Sequence, residues 1–153
     1  MTRDQLIRLL EARDPIAAAQ GLEPPAEVGW LRGEPGGEGV AQVRYGAGTT
    51  HEQVADRLLE VAASPAGVRA VLLVPGPDSP ERPGSWGNED LLVAAVARRV
   101  LPGVPIRMDW RALGEAACQV AVAFGADEWV IPVDADADPG HLAAAVGARA
   151  VER

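Results

Sequence analysis

From residue 40 onward the chain alternates between two kinds of segment. Short runs of strand character at 40–45, 70–74, 105–109 and 129–133 are each followed by a stretch of helical spacing, at 50–63, 88–101, 113–124 and 141–148. Val40-Ala-Gln-Val-Arg-Tyr45 alternates like a half-buried strand, and Ala70-Val-Leu-Leu-Val74 is a continuous apolar run of the kind a sheet interior needs. Val54, Leu58, Val61 and Ala62 recur at helical spacing. Strand–helix units in series require crossovers, and crossovers of this length join parallel strands. The sequence therefore predicts an α/β fold of four consecutive strand–helix units with parallel strands.

Ahead of this core, residues 2–20 read as an N-terminal helix, capped by Thr2 with Gln5 three residues later, and Pro15 threatens its continuity. Residues 21–39 are rich in Gly and Pro and read as a connector; a short strand at 27–31 is the one element expected there. The GEPGGEG stretch within it lacks a following Lys-Ser/Thr and precedes a strand rather than a helix. It is therefore neither a P-loop nor a dinucleotide fingerprint. With 153 residues, residues 1–153 are expected to form a single domain.

Charge and cysteine usage exclude several classes. All 14 basic residues are Arg, set against 22 acidic residues, for a net charge of −8. That balance disfavours nucleic acid and anionic membrane surfaces as partners. The first fifteen residues are too charged for a signal peptide, and no apolar run approaches the roughly 20 residues that span a bilayer, so a cytoplasmic location is the expectation. The single Cys, Cys118, allows neither an internal disulfide nor a multi-cysteine cluster site.

Residues 88–127 resemble one known family. Ala95-Val96-Ala97-Arg98 lies on a helix, Asp109-Trp110 ends a strand, Leu113-Gly114 and Gln119 follow, and Gly125-Ala126-Asp127 closes the segment. In order and spacing this is similar to the C-terminal part of the radical S-adenosylmethionine enzymes of the futalosine route to menaquinone and of the related deazaflavin-cofactor synthases. Tyr45, Gly46 and Thr50 resemble the fifth-strand segment of the same family. The resemblance implies that the four units are a portion of a TIM-type barrel whose first four units are missing. The family's CxxxCxxC cluster motif has no counterpart here, so no iron–sulfur cofactor is expected. The family's His and Glu in the fifth-strand motif fall on Ala47 and Thr49, which argues against S-adenosylmethionine at the inherited place.

In strand–helix architectures, ligands bind at the C-terminal ends of the strands. That rule selects Tyr45, Gly46 and Gly48 after the first predicted strand, and Pro75 and Gly76 after the second. It selects Asp109 and Trp110 after the third, and Pro132 to Asp134 after the fourth. Each has a structural alternative. The Gly46–Thr50 turn serves equally as a βα connection with an N-cap. Asp109 can cap the next helix while Trp110 covers the core. Asp127-Glu128 reads as a solvated turn, and His51 and His141 as surface residues. Asp134, Asp136 and Asp138 imitate a calcium loop, but Pro139 and Ala145 stand where Gly and Glu are required, so no metal site is assigned. Cys118 reads as a small buried hydrophobe. Trp86, in the Pro/Gly loop 75–87, is a candidate gate or partner anchor.

Four strands cut from a barrel leave two edges and a face without helices. We expect the helix over 2–20 to cover part of that face, and a second copy of the chain or a full-length relative to cover the rest. Two functional expectations follow. The first is a non-catalytic, radical-enzyme-derived domain, a pseudoenzyme or accessory subunit with a pocket for a nucleoside-like small molecule. The alternative is a small stand-alone enzyme using Asp109 and its neighbours for acid–base or metal-assisted chemistry. A purely structural partner of a full-length relative is a third.

Overall fold

The computed structural model describes residues 1–77 and 87–153; the loop carrying Trp86 lies outside the described residues. Six strands form one all-parallel sheet, in the order β2-β3-β4-β5-β1-β6. They are β1 (Glu27–Arg32), β2 (Val40–Tyr45), β3 (Ala70–Pro75), β4 (Ile106–Asp109), β5 (Glu128–Ile131) and β6 (Arg149–Glu152). The helices are α1 (Arg3–Ala12), α2 (Pro15–Ala19), α3 (His51–Ala63), α4 (Asn88–Val100), α5 (Trp110–Leu113), α6 (Glu115–Val120) and α7 (Pro139–Ala144). A 3₁₀ turn over Ala121–Phe124 extends α6.

The expected α/β class with parallel strands and an N-terminal helix is what forms, and the serial units of residues 40–131 are in order. The sheet is an open one of six strands, however, not four. The short strand expected at 27–31 forms as β1 and joins the sheet between β5 and β6. The predicted last helix ends at Ala144, and after Gly147, at φ 78°, the chain turns into β6. The N-terminal helix divides at Pro15, with Arg13 left-handed and Asp14 capping α2. The helix expected over 113–124 is broken at Gly114, whose φ of 89° no helix tolerates.

Strand order fixes which face each connection occupies. From β2 to β5 the sheet grows in one direction, and β5 to β6 continues it past β1. Right-handed crossovers therefore put α3 to α7 on one face. The step from β1 to β2 runs back across β5, β4 and β3, so residues 33–39 cross the opposite face as a strap. Four interstrand spacings come to about 19 Å, which seven residues cover only when largely extended.

The two faces differ in chemistry. On the helical side, Val43, Val71, Leu73, Ile106, Met108, Trp129 and Ile131 form the floor of the core. On the other side one row runs Gln42, Leu72, Arg107, Glu128, Gly29 and Val151. That face mixes these polar groups with buried apolar residues such as Leu72 and Val130, and the strap rather than a helix crosses it. The N-terminal helices accordingly do not lie there. They form an outer layer on α3 and α4: Arg3 pairs with Asp56 at 2.6 Å, and Arg99 donates to the carbonyls of Ala18 and Gln20. Leu6 and Leu10 bury the apolar stripe of α1 against those helices.

Candidate functional site

The C-terminal ends of the strands gather the residues selected from sequence along one edge of the sheet, but strand parity and helix starts send their side chains apart. Tyr45 points into the helical core, where it is buried and its hydroxyl donates to Asp90 Oδ1 at 2.5 Å. Burial and the neighbouring Asp90 carboxylate both push the Tyr45 phenol far above its ordinary pKa, so it stays neutral. Asp90, in the first turn of α4, was not singled out from sequence; its only signal was an acidic residue at a helix start.

Gly46 and Gly48 shape the turn into α3. There Thr50 and Gln53 complete a reciprocal capping box, which occupies the amides of those two residues. Pro75 ends β3. At Gly76 a side chain is excluded, because an added Cβ would collide with the Ala47 carbonyl. This close approach locks the β2–α3 turn to the end of β3.

Asp109 caps α5, accepting from the Arg111 amide at 3.1 Å. Trp110 is 6% exposed and packs edge-on against Trp129, ring centroids 5.5 Å apart. Trp129 donates to the Cys118 carbonyl at 2.9 Å, whereas Trp110 Nε1 is buried with no acceptor among the described residues. Cys118 is fully buried, and burial followed by the Asp109 and Asp90 charges raises its thiol pKa well above normal, which makes it unreactive. Asp134 is exposed and lies 3.5 Å from Arg111. His51 and His141 sit in the first turns of α3 and α7, outside this cluster.

One edge residue, Arg32, lies just past the strand predicted at 27–31 and is not among the strand ends the sequence selects. β5 exits to the helical face and β1 to the strap, so their boundary is the topological switch point of the sheet. Arg32 bridges it, donating 3.0 Å bonds to the carbonyls of Pro132 and Ala135.

The motif residues behind the family resemblance have a shared structural role. Arg98 donates to the carbonyls of Gly125, Leu101, Pro102 and Val104, and its Nη2 lies 2.9 Å from Asp127 Oδ1. Asp127 Oδ1 also accepts from the Ile106 amide at 2.8 Å. This clamp ties the end of α4 to the start of β4 and to the turn before β5. Ala95 and Ala97 are fully buried, and Gln119 donates to the Leu142 carbonyl. Burial outweighs the Arg98 charge and raises the pKa of Asp127. The folded chain therefore holds this proton to higher pH than the unfolded chain. The contribution of Asp127 to stability is most favourable below the ordinary carboxylate range and declines as pH rises through the raised value. Chemical denaturation from about pH 3 to about pH 7 should show wild type losing stability relative to Asp127→Asn across that interval.

No protein-family model matches this chain, and no curated protein matches it. Among the described residues, no group of three or more His, Cys, Asp or Glu side chains could hold a metal ion, and no helix is long and apolar enough to cross a membrane.

Proposed function

We propose that the chain is a non-catalytic domain derived from the C-terminal strand–helix units of radical S-adenosylmethionine enzymes, serving as a pseudoenzyme or accessory subunit. One observation carries this reading: the residues that match the family are those of the Arg98 clamp and its surroundings, which are structural. In the fifth-strand motif the positions that would perform the family's chemistry are substituted, by Ala47 and Thr49. Retention of scaffold residues with loss of reactive ones is the pattern expected of a binding or partner-docking descendant.

The edge at Gly76, Asp109, Trp110 and Asp134 is the surface for a nucleoside-like small molecule. Its support is the buried Trp110 indole N–H, which has no acceptor among the described residues. The stand-alone enzyme reading draws less support, because Asp109 serves as a cap and both the Cys118 thiol and the Tyr45 phenol are held protonated. Self-association, or docking on a full-length relative, belongs to the same proposal.

Thermal-shift and calorimetric titration with futalosine-like nucleosides and with S-adenosylmethionine tests the small-molecule part. Stabilisation by a nucleoside but not by S-adenosylmethionine is expected. Stabilisation by neither would remove the pocket and leave partner docking alone. Sedimentation across a micromolar dilution series should reveal a dimer; a monomer throughout counts against self-association.

A further inference from the structure

The face of the sheet without helices carries an ionic arrangement that neither the core nor the strand ends require. Arg107 of β4 and Glu128 of β5 stand side by side there, with side chains 9% and 7% exposed. Arg107 Nε donates to Glu128 Oε1 at 2.6 Å. Arg107 Nη1 donates to the Pro35 carbonyl at 2.7 Å, and this is the only hydrogen bond among the described residues that pins the middle of the strap to the sheet. Arg107 Nη2 has no partner among the described residues and is not sealed from solvent. On the far side of Glu128, Arg153 lies flat over Gly29, where any Cβ would collide with its Nε. Arg44, farther along on β2, faces the same side and makes no ion pair among the described residues.

Two guanidinium groups thus flank the Glu128 carboxylate, the exposed Arg153 also acting on Asp127, in a chain whose net charge is −8. The strap is held to it by a neutral carbonyl, and a carboxylate or phosphate oxygen is a stronger acceptor for a guanidinium than a carbonyl is. We propose that this face is a gated site for a small polyanion, carboxylate or phosphate in chemistry. The ligand takes the place of the Pro35 carbonyl on Arg107, gains Arg153 as a second cation, and lifts the strap. Arg107 is then both latch and ligand-binding residue, and Glu128 holds its guanidinium in position. This inference does not depend on descent from any family and stands or falls apart from the nucleoside reading.

Calorimetric titration with pyrophosphate and with citrate, combined with cleavage of the strap by a Glu-specific protease at the Glu38–Gly39 bond, tests it. Saturable binding below about 10 mM is expected, weakened about tenfold or more in Arg107→Lys and in Arg153→Gln but unchanged in Arg8→Gln. Cleavage of the strap should accelerate when the anion is bound, and in Arg107→Lys without it. Preference between the two probes tells phosphate from carboxylate. Arg153→Gln leaves the buried pair intact, so it reads the site even if Arg107→Lys folds poorly. Absence of saturable binding with both probes, equal affinity in Arg153→Gln, or a strap whose cleavage ignores the bound anion would overturn the proposal.

Discussion

Replacing Glu128 by Ala lowers the free energy of unfolding by about 3–5 kcal/mol, because it leaves the Arg107 charge nearly buried without its counter-ion. Removing both charges has a very different result. In Arg107→Met/Glu128→Leu the desolvation cost of two ions disappears, and the loss falls to nothing or becomes a gain of about 1–4 kcal/mol. Urea denaturation of the three proteins measures both values. The contrast is a property of position. The pair sits in the centre of a sheet, between Leu72 and Gly29 in the same row, under a strap that excludes most water. An exposed pair such as Arg57–Glu60 should change stability by no more than about 1 kcal/mol. A small single-mutant effect at Glu128 would show that water reaches Arg107 freely. If the double variant also bound no anion, the pair would be identified as a feature kept for binding at the expense of stability.

The second large effect is expected at Arg98. Arg98→Met keeps the stem of the side chain and removes the guanidinium, so four backbone carbonyls lose a charged donor and Asp127 loses its ion-pair partner. A loss of about 3–5 kcal/mol follows from an uncompensated, mostly buried carboxylate. Arg98→Lys recovers little, since an ammonium cannot reach carbonyls on both sides of the fork. Adding Asp127→Asn to Arg98→Met should restore part of the loss, and the double-mutant cycle then isolates the pair from the carbonyl contacts. Additive losses would mean that Asp127 acts through the Ile106 amide alone.

Much of the local structure is legible in particular residues. Thr2 with Gln5, and Thr50 with Gln53, form the capping boxes their spacing announces. Pro15 interrupts the first helix, and Asp138-Pro139 opens α7. The Val43/Gln42 alternation in β2 correctly divides core from surface, and Cys118 is the small buried hydrophobe its neighbours imply. The failures are equally specific. β1 is the strand predicted at 27–31, but nothing local signals its place between β5 and β6, and β6 has only four residues, too few for a period to register. The strand-end rule gathers its residues along one edge of the sheet. It could not see that Tyr45 would turn inward to Asp90, or that Asp109 would be occupied as a cap.

By itself, then, the sequence determined the class of fold. Serial strand and helix periods admit parallel pairing and one-sided crossovers, and these are local properties of hydrophobic spacing. Only the tertiary structure decided where β1 enters the sheet. That single insertion sends residues 33–39 across the helix-free face, creates the switch point bridged by Arg32, and places Arg107 beside Glu128 beneath the strap. Those contacts join residues tens of positions apart along the chain, and strand order in a sheet is set by non-local pairing that no local pattern encodes.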